Sequence, residues 1–533
     1  MANARAELSF ASKSPQFPPF LLFGLIFVCV ALLHASLLRL PYIWDEAGYY
    51  VPAARDLLLS GSLIPHSTVS NAHPPLVMAW VALSWKLFGF TPLVAHLAML
   101  LIASFTLLGV FRLAQRVANT QIALASTICT GLYSVFFTQS ALVHLDMAAA
   151  SFTLWGLRDY LDDRRVSTAI WFSVAALAKE TAILAPLALL GWEVLCSLPR
   201  KRSSGRCLFS ATWESASLLI PLLPLATWFG YHYLRTGYVF GNPEFFRYNV
   251  AATLHPLRIV LAAGIRIWEL AGYMNLYFLT LATALAMCRS PLSDERGERP
   301  RISIPVQLVF LVLIITYVLA MSVVGGAELA RYMLPVLPLV IIVGVSTLWR
   351  RVRYWVAVIT IVALAFVGAL FVNPPYGFSF EDNLAYRDYV LLHKNAENFL
   401  QLRYPKARIL TAWPASDEIS RPYLGYVSRP IRVLRIEDFT FEQLASATEL
   451  SSGFDVALVF LTKYIPARPL LPRWPAWEKL QARFFGFHRD LPPAAAAQVL
   501  GGNVVYSAAR NGQWIAVIEM ERVQDAKLRE GLR

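Results

Sequence analysis

The sequence predicts a polytopic α-helical membrane protein that ends in a smaller α/β domain. Of its 533 residues, 57% are hydrophobic, a share well above that of ordinary soluble domains. Several runs of 18 or more residues carry almost no charge, and roughly 20 such residues are enough to cross a bilayer as a helix. After Asn373-Pro374-Pro375 the apolar runs shorten and charged residues return. The chain therefore divides into a transmembrane domain at 1–372 and a second domain at 373–533.

The positive charge of the chain indicates membrane topology. The net charge is +13, yet the region after Phe371 holds 20 Lys and Arg against 17 Asp and Glu, so most of the surplus lies earlier. This placement between apolar runs follows the positive-inside rule, and we expect no nucleic-acid partner. The clusters predicted to be cytoplasmic are Arg112 with Arg116, Arg158 with Arg164 and Arg165, Arg200 to Arg202 with Arg206, Arg289 to Arg301, and Arg350 with Arg351 and Arg353.

These clusters predict about eleven spans, with the N-terminus inside and the C-terminus outside. The first apolar run is too long for a signal peptide, so it is expected to stay as an anchor. Basic clusters flank residues 167–197 on both sides, which predicts a helical hairpin with Lys179 and Glu180 at its tip. The spans are expected near 18–40, 92–116, 121–139, 146–161, 167–178, 181–197, 213–234, 268–288, 304–324, 332–348 and 354–372.

The region 373–533 is predicted to be an extracytoplasmic α/β domain, because short apolar runs alternate with helical patterns. It contains neither a Gly-rich phosphate loop nor a catalytic triad pattern. We interpret it as a lid or an acceptor-binding module. Strands are expected at 407–413, 431–436, 455–461, 503–507 and 514–519, and helices at 384–404, 439–450 and 475–485.

The first outer loop, residues 41–91, carries the most informative residues. Trp44-Asp45-Glu46 places two adjacent carboxylates where the first span ends. Ionisable groups at the mouth of packed spans are candidates for chemistry, although acids at this position can also simply mark the water interface. Asp45, Tyr49 and Arg55 have near-helical spacing, and Pro74-Pro75 begins a second helix that is expected to lie along the membrane surface.

The loop sequence DEAGYYVPAARDLLLSG, followed by HPPL and KLFG, resembles the first outer loop of the GT-C class of membrane glycosyltransferases. Its subgroup is that of the protein O-mannosyltransferases and the lipid A aminoarabinose transferase. Leu142 to Met147 and the segment RYMLPVLP, which starts at Arg331, agree with the same family. Leu177-Ala178-Lys179-Glu180 resembles the family's L-T-K-G position but departs from it at Ala178 and Glu180. The resemblance covers roughly residues 20–350.

The resemblance implies transfer of a sugar from a polyprenyl-phosphate donor to a lipid, protein or glycan acceptor. Transfer would occur on the outer face of a membrane, expected to be the bacterial inner membrane. A phosphate leaving group needs charge neutralisation more than a general acid, whereas an acceptor hydroxyl needs a base. One carboxylate and one or two cations would suffice, with inversion at the anomeric carbon.

Three acidic residues are candidates for the catalytic set. Asp45 is predicted to be the base, and Glu46 either orients its neighbours or the sugar or is a surface carboxylate. Asp146 opens the fourth span and matches an acidic residue that faces the site in the family; the alternative is a helix-capping aspartate. His144-x-Asp146 has the donor types of a metal ligand pair, but two residues make no site. A divalent metal thus stays open, and no metal site is assigned.

The donor phosphate is expected to contact basic residues. Arg331 is the first candidate, with an interface arginine that extends to the membrane surface as the alternative. Lys179 is the second, with an ion pair to Glu180 as the alternative. His73 stands where the aminoarabinose transferase has a Glu-Lys pair. Arg55 either pairs with Asp45 or Asp146 or stabilises the loop.

A secondary transporter or flippase of a lipid-linked or small polar substrate is the competing hypothesis. Such proteins usually show internal repeats and ionisable groups near the bilayer midplane. In this sequence the ionisable groups gather at the outer ends of the spans, and no repeat is visible. A non-catalytic scaffold would need no set such as Asp45, Asp146 and Arg331. The sequence therefore favours transfer.

Overall fold

The computed structural model describes residues 18–197, 215–295, 297–449, 453–466 and 474–521. The predicted basic cluster at 200–206 lies outside the described residues. The chain forms two compact units. The first contains Met1–Ser36, Ser70–Ser84 and His96–Gly368, and the second contains Leu37–Val69, Trp85–Ala95 and Ala369–Arg533.

The chain up to residue 371 is almost entirely helical in its described parts. Apart from α-helices and short 3₁₀ turns, the regular elements described there are the π-helix Glu46–Tyr50 and a small hairpin, in which β1 (Ser293–Asp294) pairs antiparallel with β2 (Gly297–Glu298). The α-helices are α1 Pro19–His34, α2 Val51–Ser60, α3 Leu76–Phe88, α4 Pro92–Val117, α5 Thr120–Leu132, α6 Ser134–Gln139, α7 Leu145–Leu161, α8 Arg165–Ala178, α9 Leu184–Ser197, α10 Leu222–Thr236, α11 Pro243–Asn249, α12 Pro256–Ala271, α13 Tyr277–Met287, α14 Ile304–Val323, α15 Leu337–Arg351 and α16 Trp355–Phe371.

Two described helices, α4 and α14, are long and apolar enough to cross a membrane by themselves. A third span is added if the bent pair α12–α13 crosses as one element. Shorter apolar helices, of 10 to 17 residues, are α1, α3, α5, α8 and α16. The count of eleven spans therefore stays a prediction.

Two predicted spans contain breaks that hydropathy does not reveal. Residues 121–139 form two helices, because the backbone of Tyr133 is extended between α5 and α6. The predicted span at 268–288 begins inside α12 and then turns by 98° into α13. At that turn Met274 and Asn275 have left-handed φ values of 46° and 67°, which end a helix. Residues 165–197 form the expected helix pair, and α8 ends at Ala178.

Helices α7 and α8 form a closely packed hairpin in the first unit. Small residues line its interior, among them Ala149 and Ala175, and small residues let helices approach closely. At Gly156 a Cβ would lie only 2.8 Å from the ring of Phe172. This tight packing fixes the N-terminal end of α7, which carries Asp146, relative to the C-terminal end of α8.

The second unit contains a five-stranded sheet in the order β4-β3-β5-β7-β6. β3 pairs parallel with β4 and β5, whereas β7 pairs antiparallel with β5 and β6. All five residues of β5 are buried, as expected for a central strand. The predicted alternation of strands and helices is confirmed. The elements are α17 Ala385–Arg403, β3 Arg408–Ala412, α18 Ala415–Ser420, β4 Arg432–Ile436, α19 Phe441–Glu449, β5 Val456–Phe460, α20 Pro475–Phe485, α21 Pro493–Leu500, β6 Gly502–Arg510 and β7 Gln513–Met520.

Candidate active site

Asp146 lies in a buried group of charges in the first unit. It occupies the first turn of α7 and is 3% exposed. Its Oδ1 accepts a hydrogen bond from Lys179 Nζ at 2.5 Å, and its Oδ2 lies 3.3 Å from Arg331 Nε. The helix cap itself is His144, which makes no side-chain capping bond. Asp146 therefore serves as the counter-charge of two cations rather than as a helix cap.

Arg331 is held inside the protein, in the 3₁₀ helix Ala330–Met333. It is 1% exposed and thus does not extend to the membrane surface as an interface arginine would. Its Nη1 lies 3.1 Å from Nδ1 and 3.3 Å from Nε2 of His144. His144 Nδ1 is also 2.6 Å from Gln139 Oε1, which can only accept. His144 thus lies between the guanidinium of Arg331 and the side-chain amide of Gln139.

Lys179 reaches Asp146 because the helix stops immediately before it. Its backbone is extended, with φ of −155°, between α8 and the 3₁₀ helix Glu180–Ile183. The side chain is 8% exposed, and Nζ lies 4.1 Å from the centre of the Tyr332 ring. Lys179 therefore forms its ion pair with Asp146, and Glu180 forms its ion pair with His73. We call His144, Asp146, Lys179 and Arg331 the charge cluster.

Two buried arginines on α12 extend the charged region. Neither of them was predicted from the sequence as a site residue. Arg258 and Arg266 are 1% and 0% exposed. Arg266 contacts Glu269 at 2.8 Å and Glu328 at 2.6 Å, while Arg258 contacts the other oxygen of Glu328 at 3.2 Å. The available signal was the spacing of Arg258, Arg266 and Glu269, which puts three charges on one face of an apolar helix. Together with Glu328, these residues form two positive and two negative groups that neutralise one another.

His73 pairs with Glu180 at the edge of this region. Its Nδ1 lies 3.0 Å from Glu180 Oε2, and the two side chains are 14% and 27% exposed. The backbone just before His73 is fixed, because Ala72 has a left-handed φ of 56° and its carbonyl accepts from Trp228 Nε1 at 2.8 Å. His73 therefore faces a carboxylate in this structure.

Asp45 lies in the second unit, at a point where the backbone is unusual. The preceding residue, Trp44, has a left-handed φ of 48°, which is uncommon for a bulky side chain. Asp45 itself begins the π-helix Glu46–Tyr50. Left-handed bulky residues and π-helical turns both concentrate at functional sites. These features favour a functional role for Asp45, which is half-buried.

Glu46 is fully buried and fastens the loop that carries Asp45. One carboxylate oxygen accepts a hydrogen bond from the backbone N–H of Ile43 at 3.0 Å, and its exposure is 0%. Burial, together with the charge of Glu46, raises the pKa of Tyr42 and of Tyr386. Of the two predictions for Glu46, this placement favours orientation of its neighbours over a surface carboxylate.

The second unit also contains a pocket of about 380 Å³ next to the π-helix. Trp413 forms one wall, and a Cβ at Gly48 would lie 2.9 Å from its indole nitrogen, so the close approach requires glycine. Arg421 donates to the carbonyl of Ser67 at 2.9 Å and lies 3.5 Å from Asp417, whose pKa is raised by burial. The lining residues are Gly48, Tyr49, His66, Ser67, Thr68, Val69, Trp413, Asp417, Arg421 and Arg435.

Arg55 and Asp56 both stabilise this part of the second unit. The Arg55 guanidinium lies over the Tyr423 ring, 4.5 Å from its centre. The carboxylate of Asp56 accepts from the backbone N–H groups of His66 and Ser67 at 2.6 and 2.7 Å. Of the predictions for Arg55, this contact favours loop stabilisation. The role of Asp56 was missed, since hydrogen bonds to a distant part of the loop leave no local pattern.

The charge cluster itself is poorly suited to a metal ion. The ring nitrogens of His144 already lie against Gln139 Oε1 and Arg331 Nη1. A divalent cation next to Asp146 would also face the positive charges of Lys179 and Arg331 at short range. The same arrangement suits an anion, because the cations already outnumber the carboxylate two to one.

Comparison with protein families relates part of the first unit to a known group. Residues 72–228 match the family described as dolichyl-phosphate-mannose-protein mannosyltransferase. The matched stretch includes His73, Asp146 and Lys179, whereas Asp45 and Arg331 lie outside it. No curated protein sequence matches the chain.

Comparison with solved structures extends over nearly the whole chain. Crystal structures of ArnT from Cupriavidus metallidurans match with TM-scores of 0.52 when bound to undecaprenyl phosphate and 0.51 in the apo state, at 15% and 16% identity. Each match covers 93% of this chain, and 98% and 97% of the respective ArnT chains. The S. cerevisiae protein O-mannosyltransferase Pmt1-Pmt2 complex bound to the sugar donor matches with a TM-score of 0.33 at 16% identity, over 47% of this chain and 38% of that chain.

The family match and the ArnT structures confirm the predicted resemblance to GT-C membrane glycosyltransferases. The fold is that of a polytopic helical membrane protein with a C-terminal sheet domain, as predicted.

Proposed function

We propose that this protein is an inverting glycosyltransferase that uses a polyprenyl-phosphate sugar donor, in which the sugar is a hexose or a pentose. It acts on the outer face of a membrane, expected to be the bacterial inner membrane, with the C-terminal domain on the same side. The acceptor is a hydroxyl or phosphate of lipid A, a protein or another glycan. The resemblance to the GT-C class supports this reaction.

The observation that carries the proposal is the composition of the charge cluster. Lys179 and Arg331 are buried around the single carboxylate of Asp146. The cluster therefore has an excess positive charge in a place of low dielectric constant, where an anion is bound strongly. Asp146 Oδ2 accepts no hydrogen bond from the described residues, so the cluster is not closed. A lipid-linked phosphate supplies the missing negative charge.

In the proposed reaction, Lys179 and Arg331 neutralise the phosphate as it leaves. The bond between the anomeric carbon and the phosphate oxygen breaks, and its electron pair stays on the phosphate. The acceptor oxygen forms a new bond to the anomeric carbon from the opposite face and loses its proton to a carboxylate. Asp45 keeps the role of this base, which the resemblance gives it. Both oxygens of Asp146 face cations, so Asp146 acts as a positioning residue.

The pocket in the second unit supports acceptor binding. Tyr49 and Trp413 have ring centres 6.1 Å apart, and aromatic faces are common partners of sugar rings. Arg421 and Arg435 add positive charge to the same lining, which suits a phosphorylated or carboxylated acceptor. Glu46 orients this loop through its contact with Ile43.

Purified protein in proteoliposomes with polyprenyl-phosphate sugars and a candidate acceptor (lipid A, a protein or a glycan) tests the proposal. Wild type should release free polyprenyl phosphate and form one new glycosidic bond per donor consumed, measured by mass spectrometry. Asp45→Asn should lower the transfer rate by about 10²–10⁴-fold, the usual contribution of a general base, while donor binding is retained. Asp294→Asn, an exposed carboxylate in the β1–β2 hairpin, is the matched control and should transfer at the wild-type rate.

Two results would contradict the proposal. Unchanged transfer in Asp45→Asn would remove Asp45 from the role of base. Movement of the lipid-linked sugar across the bilayer without a new glycosidic bond would show that the protein is a transporter or flippase and not a transferase.

A further inference from the structure

A second group of ionisable residues lies in the part of the second unit that contains the sheet. None of these residues belongs to the charge cluster or lines the pocket. His393 and Glu397 are one helical turn apart on α17 and so share a face. Glu418 comes from the short helix α18. Their exposures are 2%, 0% and 0%, respectively. We call these three residues the carboxylate cluster.

The three side chains bring metal-ligand atoms together. His393 Nδ1 lies 2.7 Å from Glu418 Oε2 and 3.7 Å from Glu397 Oε1. One ligand atom from each residue lies within 4.8 Å of the others. Ligand atoms around a tetrahedral Zn²⁺ are roughly 3.3 Å apart, given bonds of about 2.0–2.2 Å. A small rotation of Glu418 away from His393 would therefore open room for the ion.

Several buried oxygens in this group accept no hydrogen bond. Among the described residues no N–H or O–H group donates to either oxygen of Glu397 or to Glu418 Oε1. Glu397 and Glu418 instead face each other at hydrogen-bonding range, a contact that two ionised carboxylates cannot satisfy. The hydroxyls of Tyr389 and Tyr426 are likewise buried and have no hydrogen-bond partner there. Buried carboxylate oxygens without partners are costly, so this group requires something more than the protein supplies.

The charge balance points to a cation. Two carboxylates face one imidazole, and in the described part of the chain no Lys or Arg forms an ion pair with Glu397 or Glu418. Without a cation, the two carboxyl groups would have to share a proton. Two ionised carboxylates this close together repel each other strongly in a buried place. A divalent ion would remove this repulsion and satisfy the unpartnered oxygens together.

The surroundings hold the ligands in place. The ring of Tyr389 stacks on His393 with centres 3.9 Å apart, and Phe460 meets the same imidazole edge-on at 4.6 Å. Rings packed in this way fix the orientation of a ligand histidine. An imidazole with two carboxylates and no thiolate suits Zn²⁺ or Mn²⁺ rather than a soft metal.

We propose that His393, Glu397 and Glu418 bind a divalent transition-metal ion of the Zn²⁺ or Mn²⁺ class, which links α17 to α18. The ion is structural, because the three ligands are buried. Glu418 directly follows Asp417, a wall residue of the pocket that also contains Trp413. The metal would therefore hold one wall of that pocket.

The test uses the purified full-length protein in detergent, treated with a chelator and then titrated with ZnCl₂ or MnCl₂. Calorimetry should show about one tight site per chain, and thermal unfolding should move several degrees upward on metal addition, since a ligand that binds only the folded state stabilises it. Glu397→Gln should lose the tight site and the thermal shift. Glu442→Gln, an exposed carboxylate on α19, is the matched control and should keep both.

A spectroscopic measurement on wild type decides the question even where the variant does not fold. X-ray absorption of the one-equivalent complex should show only nitrogen and oxygen ligands, at about 2.0–2.2 Å. Sulfur at about 2.3 Å would place the metal on cysteine and overturn the proposal. A wild-type protein that binds neither metal, or that binds it as tightly as Glu397→Gln does, would leave a shared proton as the answer.

Discussion

The charge cluster and the carboxylate cluster are both buried groups of ionisable side chains, yet their internal balance is opposite. In the first, Asp146 stands between Lys179 and Arg331, so each charge faces one of opposite sign. In the second, Glu397 and Glu418 face each other across His393. Because its groups are buried, the charge cluster is stable only while each charge keeps its partner. The carboxylate cluster instead requires a cation that the chain itself does not supply. Buried charge therefore identifies a site only after its partners have been counted.

The largest expected effect comes from breaking the charge cluster at its single carboxylate. Asp146→Asn leaves Lys179 and Arg331 buried without their counter-charge, which should cost about 3–5 kcal/mol of unfolding free energy. Thermal or denaturant unfolding in detergent measures this cost. The control is Glu442→Gln, an exposed carboxylate on α19, and its stability should equal that of wild type. Equal stability of Asp146→Asn and the control would mean that the ion pairs contribute little.

A smaller and more diagnostic effect is expected from removing a cation as well. The double variant Asp146→Asn with Lys179→Met should be more stable than Asp146→Asn alone, by about 1–3 kcal/mol, because one unpaired buried charge has gone. The double variant should have no transferase activity, since the lysine is also a proposed phosphate ligand. A double-mutant cycle on unfolding measures the coupling. Strictly additive losses would show that Lys179 and Asp146 do not form a buried pair.

The carboxylate cluster should respond with the opposite sign when no metal is present. In chelator-treated protein, Glu397→Gln removes one of two facing carboxylates and should raise the unfolding free energy by about 1 kcal/mol or more. The comparison is between chelated wild type and chelated variant in the same melting experiment. A clear loss of stability in the metal-free variant would mean that the two carboxylates are already balanced within the chain.

The smallest effect is expected at the pair of His73 and Glu180, whose side chains are 14% and 27% exposed. Solvent reaches this pair more than it reaches the charge cluster, so His73→Gln should cost about 1 kcal/mol of unfolding free energy, less than Asp146→Asn. Steady-state transfer should fall by less than tenfold. A loss near that expected for a phosphate ligand, about 10²–10³-fold, would restore the role in donor binding that the sequence predicted for His73.

The features that depend on the local pattern of residues could be predicted from the sequence. Apolar runs, basic clusters and strand periodicity gave the helical membrane fold and every strand of the tail. The breaks at Tyr133 and Met274 were missed, because neither residue type by itself ends a helix. From the sequence, the site residues could only be assigned to the outer ends of successive spans. The structure shows which of them are in contact: Asp146 contacts Lys179 and Arg331.

The remaining features depend on contacts between distant segments. Arg258 and Arg266 were assigned to no element, because the predicted span began at residue 268. The carboxylate cluster requires α18 to fold against α17, 25 residues apart at Glu418 and His393. Hydropathy does not report such a contact. The assignment of Glu46 to loop orientation likewise needed its hydrogen bond to Ile43.

Donor turnover by Arg331 variants tests the central claim most directly, that the charge cluster neutralises the donor phosphate. The measurement is the rate of polyprenyl-phosphate release in proteoliposomes by wild type, Arg331→Gln and the control Arg350→Gln, which removes a partly exposed arginine paired with Glu298. We expect Arg331→Gln to lose about 10²–10³-fold in rate, and the control to stay near wild type. Equal rates for Arg331→Gln and wild type, with both proteins folded, would contradict the account.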